Sequence, residues 1–336
     1  MSPTIAIDAM GGDRGPSTVV PAVLELAEEH PEIKVVLVGR KKDVVPFFPD
    51  GTPPESVSIA EAEDVIYDSD DPILAYKEKP DSSIHIGLEL LKDAHVDAFF
   101  TTGNTGATVL ASHFICDYLP GVTRSALATI FPTLSGRELF LLDLGATMER
   151  KPELLVDFAK LGSAFCEVVT GNSKPVVKLL NIGAEAEKGP KHLQTTARIL
   201  EKEFHFGGFI EGNHLFRFPN ADVVVMDGFT GNILLKTMEG LAKTIKEMVK
   251  KYTGGAGAFG FTRRFVDKKV NSIMTRFNYT MYGTAILLGI EQLVGVGHGR
   301  SDKTAIKSAI ITLSDRVSED FSKGFSQAFE RGNKTK

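Results

Sequence analysis

The 336-residue chain contains no tryptophan and only two cysteines, Cys116 and Cys166, far apart in apolar stretches. Neither a Cys-x-x-Cys redox pair nor a four-ligand zinc cluster can be assembled from them, so both read as small buried apolar groups. No apolar run is long enough to span a bilayer. Met1-Ser2-Pro3-Thr4 leads straight into a strand, without the basic segment and apolar core of a signal peptide. A cytoplasmic location is the expectation, and Asn278-Tyr279-Thr280 then carries no meaning as a glycosylation acceptor. Excess positive charge is also missing. The net charge of −5 argues against a nucleic-acid binder, whose affinity comes from neutralising phosphates.

The strong catalytic signatures are absent as well. The sequence has no Walker A loop, no Gly-x-Ser-x-Gly elbow, no His-Glu-x-x-His and no Gly-x-Gly-x-x-Gly opening a helix after the first strand. Gly295-x-Gly297-x-Gly299 is too sparse to stand for a dinucleotide site. No metal ligand set and no cofactor is expected. A chain without a recognisable nucleophile is expected to let its substrate attack.

What is present is the composition of a globular protein, 43% hydrophobic and 24% charged, enough to bury a full core. Its length suits residues 1–336 as a single compact unit, or one built of two lobes. Short β-branched runs alternate with longer amphipathic segments: Thr4–Ile7, Lys34–Val38, Val96–Thr101, Leu139–Leu144, Val176–Asn181 and Asp222–Met226. Such near-continuously apolar strands are buried on both faces, which predicts a mostly parallel sheet between helical layers, an αβα sandwich. Helix starts are predicted at Pro16-Ser17, Asp81-Ser82-Ser83, Asn104-Thr105 and Thr230-Gly231-Asn232 from their capping side chains or first-turn proline. Residues 253–282 stand apart. A glycine-rich loop there precedes a basic helix with Phe265, Val266, Ile273, Met274 and Phe277 largely on one face, suited to an anionic membrane, a carrier protein or a partner subunit.

Five polar clusters follow directly on strand signals: Asp8 to Asp13, Thr101 to Ala107, Asp143 to Thr147, Asn181 to Gly183 and Asp227 to Asn232. One such cluster reads as a capped turn. Five together mark the crevice that an open α/β sheet presents beyond the carboxyl ends of its strands. Gly103-Asn104-Thr105-Gly106 is the strongest phosphate candidate, since a helix beginning there aims free N–H groups and partial positive charge at an anion, with Asn104 and Thr105 adding side-chain donors. His298 alone among the eight histidines lies in a glycine-rich loop.

These motifs, together with Lys188-Gly189, resemble in order and spacing the bacterial phosphate acyltransferases of phospholipid synthesis, along nearly the whole chain. The resemblance implies conversion of an acyl-acyl-carrier-protein and inorganic phosphate into acyl phosphate for a downstream glycerol-phosphate acyltransferase. It also implies a homodimer, peripheral association with membrane, and the fold of isocitrate and isopropylmalate dehydrogenases and phosphotransacetylases. On this reading Lys188 neutralises phosphate or oxyanion charge, Asn232 donates to the oxyanion or places the thioester, and Asp227 completes the catalytic set. Asp8, Gly11, Gly12, Gly103, Asn104, Thr105, Gly106, Thr230, Gly231 and His298 would bind phosphate or substrate. The chain departs from the family pattern at Pro80, Thr147, Ala184, Ala186 and Thr284. A dehydrogenase of related fold and a catalytically inactive scaffold are the alternatives from other classes.

Overall fold

The computed structural model describes residues 2–217, 219–253 and 284–334. Each of the six apolar runs forms a strand: β1 (Thr4–Asp8), β2 (Lys34–Gly39), β4 (Ala98–Thr101), β6 (Glu138–Leu142), β7 (Val177–Leu180) and β9 (Val223–Val225). Five more complete the sheet: β3 (Val57–Glu61), β5 (Ala126–Pro132), β8 (Phe206–Ile210), β10 (Ala285–Leu288) and β11 (Leu293–Val296). Successive side chains point to opposite faces, so one strand feeds two core layers. Phe140 and Leu142 enter one, Leu139 and Leu141 the other, and all four are at most 1% exposed. Fully burying a side chain of this size is worth about 1.5–3 kcal/mol.

The first layer packs under α1 (Pro16–Glu29), α6 (Pro152–Thr170), α7 (Lys191–Glu203) and the helices Lys303–Ser318 and Phe321–Lys334. The second packs under α3 (Pro72–Glu78), α4 (Ser83–Lys92), α5 (Thr105–Ile115) and α8 (Gly228–Thr253). The result is the expected three-layer αβα arrangement.

The strands are ordered β3-β2-β1-β4-β11-β10-β5-β6-β9-β7-β8. The parallel expectation holds within two wings, β3 to β11 and β6 to β8. Between them, the β11–β10, β10–β5 and β5–β6 ladders are antiparallel. The wings therefore run in opposite directions. A sheet twist of roughly 20–25° per strand, accumulated over the five steps from β4 to β9, amounts to on the order of 100° and turns the carboxyl ends of the second wing toward the first.

Local chemistry sets the helix starts that matter here. Asn104 Oδ1 accepts the Ala107 N–H (2.9 Å), and Ser82 Oγ accepts the His85 N–H (3.4 Å). Helix α8 begins at Gly228, two residues before the predicted Thr230. Asp227 is the reason, because its Oδ1 accepts the Thr230 N–H (3.0 Å) and its Oδ2 accepts the Thr230 hydroxyl (2.7 Å). The loop and basic helix predicted over 253–282 lie, Thr253 apart, outside the described residues.

Candidate active site

The ends of β1 and β4 are neighbours, and their polar groups first satisfy one another. Asp8 is 2% exposed, its Oδ2 accepting the Thr101 hydroxyl (2.6 Å) and its Oδ1 the Met10 N–H (3.0 Å). Burial raises the Asp8 pKa, against the lowering pull of the Ser83 and Thr101 hydroxyls and the Met10 and Gly11 amides. Thr101 Oγ1 accepts the Gly103 N–H in turn (2.9 Å), so this relay fixes the loop and leaves no Gly103 amide for a ligand. A Cβ on Gly11 would stand 2.6 Å from Asp8 Oδ2 and 2.8 Å from Gly103 N. Gly12 has φ +79°, and a Cβ there would meet Gly299 O at 2.8 Å. Asp8, Gly11 and Gly12 thus hold three loops in contact from behind.

In front of them opens a cleft of about 800 Å³. It brings together Gly103, Asn104, Thr105, Gly106, Asn232 and His298 from the sequence-predicted set. Asn104 has a different task from the one expected. Beyond capping α5, its Nδ2 donates to the Tyr67 (3.2 Å) and Asp70 (3.1 Å) carbonyls, so the side chain ties α5 to the 67–70 loop. The donors left at this helix start are the first-turn amides of Thr105 and Gly106 and the Thr105 hydroxyl.

The opposite wall is one face of α8. Asn232, Leu235, Lys236, Glu239 and Lys243 recur at the spacing of a helix face and all line the cleft. The side-chain amide of Asn232 has no hydrogen-bond partner among the described residues, in contrast to Asn104. Glu239 Oε2 lies 2.9 Å from His298 Nε2 and 3.2 Å from Lys236 Nζ. The Arg300 N–H approaches His298 Nδ1 at 2.9 Å. A backbone N–H can only donate, so Nδ1 accepts and the imidazole proton sits on Nε2, directed at Glu239. Arg300 also lines the cleft, 3.6 Å from Asp13. The charged lining is therefore mixed, Lys236, Lys243 and Arg300 against Asp13, Asp68 and Glu239, and Leu127, Leu144, Met148, Leu235 and Val296 supply an apolar side. Sequence reasoning missed Lys236, Glu239 and Arg300.

Helix α8 is seated on the loop after β6. Asp143 is fully buried, its Oδ1 accepting the N–H groups of Leu127 (2.9 Å), Gly145 (3.0 Å) and Ala146 (2.8 Å), and its Oδ2 that of Thr147 (2.8 Å). A Cβ on Gly231 would lie 1.8 Å from Asp143 O, and one on Gly228 would lie 2.1 Å from Thr147 O. Only glycine lets the first turn of α8 approach so closely, and this approach sets Asn232 beside Gly145.

The remaining predicted residues are not on the cleft wall. Asp227 and Thr230 cap α8, and Arg150, which carried no sequence signal, approaches Asp227 at 3.4 Å and lies over the Phe229 ring at 4.7 Å. Burial lowers the pKa of His192 nearby, while the Asp227 charge raises it and the Arg150 charge lowers it. Lys188 sits on the β7–α7 loop, paired with Glu185 at 2.8 Å, both side chains more than half exposed. The carboxylate raises the Lys188 pKa.

Neither cysteine belongs to the site. Burial pushes the Cys116 thiol up to about 12 and the Cys166 thiol up to about 11, so neither supplies a thiolate near neutral pH. Ellman's reagent is expected to titrate neither thiol in the native protein and both after unfolding in guanidinium. A rapidly reacting native thiol would contradict this burial.

Among solved structures, the fold is that of phosphotransacetylases. The Streptococcus pyogenes phosphotransacetylase matches over 94% of both chains with a TM-score of 0.57 at 15% identity. The branched-chain phosphotransacylase from Enterococcus faecalis V583 matches over 94% of this chain and 98% of its own, with a TM-score of 0.56 at 11% identity. These identities establish shared fold and no more, so the class defined at this point is a three-layer α/β protein with its cleft between two sheet wings. Closer relatives carry the assignment further. Residues 3–324 match the model of the family described as fatty acid synthesis protein. The phosphate acyltransferases of Shewanella sp. strain ANA-3 and Shewanella baltica strain OS155 are 36% and 35% identical over 311 residues, covering 91% of this chain and 91% of each relative. The chain belongs to this fatty acid synthesis family and is an acyl-transferring enzyme.

Proposed function

We propose that the enzyme transfers a fatty acyl group from the thioester of acyl carrier protein to inorganic phosphate, forming the acyl phosphate used in phospholipid synthesis. The observation that carries this reading is the cleft itself. The α5 start and three cations stand beside an apolar side, which suits a small anion meeting an acyl chain. The phosphate acyltransferase relatives support the same substrate pair.

Phosphate binds at the Thr105 and Gly106 amides, with Lys236, Lys243 and Arg300 offsetting its charge. Its second ionisation resembles that of a phosphate monoester, at about 6, so near neutral pH it is already an anionic nucleophile and needs no general base. A phosphate oxygen attacks the thioester carbonyl, the C–O bond forms, and the negative charge moves to the carbonyl oxygen. The Asn232 amide donates to that oxyanion. Collapse breaks the C–S bond, and the thiolate, with an ordinary pKa near 8.5, leaves with little need for an acid. Rate enhancement comes from holding the two substrates in line and from preorganised donors. The experiment that tests the reading is phosphate-dependent release of free thiol from a long-chain acyl-acyl-carrier-protein, with the product trapped as hydroxamate by hydroxylamine. Thiol release independent of phosphate would sink it.

Lys188 acts, on this reading, from the β7–α7 loop, off the cleft wall. An exposed ion pair is worth roughly 0–1 kcal/mol, so a dianionic ligand competes readily with Glu185 for the ammonium. Lys188→Ala is expected to reduce kcat/KM for phosphate about tenfold or more, while Glu185→Ala leaves it unchanged or raises it. Equal losses in both variants would mark the pair as a loop brace instead.

The enzyme works as a homodimer in the cytoplasm, with peripheral contact to membrane. Exposed Ile233, Leu241 and Met248 on one flank of α8 are the kind of apolar strip a second subunit covers. Light scattering of the eluted protein measures this directly, and a monomer at micromolar concentration would contradict it.

A further inference from the structure

Glu239 is an unexpected group for an anion-binding wall. Its side chain is 18% exposed, and its Oε1 is buried without a hydrogen-bond partner among the described residues. A buried acceptor left unpaired lowers stability, and such groups in a folded protein call for an explanation. Burial works against its charge, yet the His298 hydrogen bond and the neighbouring Lys236 ammonium hold its pKa below the usual value. The side chain is therefore a carboxylate facing the cleft meant for phosphate, which by itself repels the ligand.

Its partners explain what it does. Oε2 accepts a hydrogen bond from His298 Nε2–H at 2.9 Å and stands 3.2 Å from Lys236 Nζ, joining α8 to the 297–300 loop. That loop is fixed in turn, with Gly297 N–H donating to Thr101 O (2.8 Å) and Asp13 N–H donating to Gly299 O (2.8 Å). One carboxylate thus holds the Nε2–H that the Arg300 N–H leaves on His298, and fixes the position of a cation whose four-carbon stem is otherwise free, with 58% of the Lys236 side chain exposed.

We propose that Glu239 is a positioning residue for phosphate, holding Lys236 on the cleft wall and the His298 ring in place before the anion arrives. The proposal rests on the acyl-transfer reading above and adds to it the residue that preorganises the phosphate subsite. Glu239→Gln keeps the shape and can still accept from His298, but it loses the charge that holds Lys236. It is expected to raise the phosphate KM about tenfold, the size of effect seen when one charge-assisted hydrogen bond is lost. The KM for the acyl thioester stays within about twofold, and the melting temperature stays close to that of the wild type. Lys236→Ala shows the same phosphate defect, and the double variant adds little to it, as expected for two residues acting as a unit. An unchanged phosphate KM in Glu239→Gln overturns the proposal. So does a parallel rise in both KM values with a lower melting temperature, which marks a brace of α8 only. Calorimetric titration with inorganic phosphate separates failure of the proposal from failure of the acyl-transfer reading. If the wild type shows no phosphate-dependent thiol release but binds phosphate about tenfold more tightly than Glu239→Gln, the positioning role stands without that reaction. Equal affinities, or no phosphate binding by the wild type, overturn it.

Discussion

Asn232→Ala lowers kcat about a hundred- to a thousandfold, the loss that accompanies removal of one oxyanion donor, with both KM values nearly unchanged. Two features of the fold lead to this expectation. The Asn232 amide has no partner among the described residues, although it stands on the cleft wall. It also stands at the start of the second turn of α8, four residues on from Gly228 and close to the helix end whose dipole favours negative charge. An interaction made only as charge develops on the carbonyl oxygen lowers kcat and leaves binding alone. Steady-state kinetics checks it, and activity within a fewfold of wild type would remove Asn232 from the mechanism.

Gly231→Ala destabilises the protein by at least about 3 kcal/mol, the upper range for forcing extra volume into a packed site. The added carbon would stand 1.8 Å from the Asp143 carbonyl oxygen, and backbone on both sides cannot turn away as a side chain would. Helix α8 must then lift from the 143–147 loop, taking Asn232 with it, so activity falls together with stability. Gly240→Ala on the same helix is the matched control. A Cβ there meets nothing within 4 Å, and replacing an interior helix glycine contributes up to about 1 kcal/mol. Urea denaturation midpoints are expected to move in opposite directions. A Gly231→Ala midpoint equal to wild type would contradict the tight seat.

The contrast between the two asparagines shows how far the sequence could be read. Both stand at helix starts after a strand, and in sequence they look alike. Asn104 is at the N-cap position, where its oxygen serves its own helix and its nitrogen reaches the 67–70 loop. Asn232 falls just past the first turn, because Asp227 has already taken the cap, and its side chain points to the cleft. The difference depends on where α8 begins, and helix boundaries are decided by capping competition that pattern reading resolves poorly.

The buried parallel strands were legible because apolar runs such as Val223–Val225 need no tertiary knowledge to recognise. Two of the missed strands lack that signature, since β8 carries Gly207 and Gly208 and β3 is partly exposed. Strands β5, β10 and β11 are buried apolar runs of the same kind and were legible in the same way. Reversal of the second wing follows from the tight turn between β5 and β6, where Thr133 N–H donates to Arg137 O (2.9 Å). A connection so short can join only antiparallel neighbours. The Thr133-to-Arg137 segment was therefore a usable signal. The α8 face was usable as well, since Asn232, Lys236, Glu239 and Lys243 fall at helical spacing. What no local pattern could give is that this face meets the loops after β4 and β11, which a twisted sheet brings together from distant parts of the chain.

In the proposed reaction phosphate, and no side chain, is the nucleophile. Isotopically labelled free carrier protein mixed with unlabelled acyl carrier and enzyme tests it most directly. Without phosphate, label is expected to stay in the free carrier, since no acyl-enzyme forms to return the acyl group. Label passing into the acyl carrier in the complete absence of phosphate would reveal a covalent intermediate and contradict direct attack.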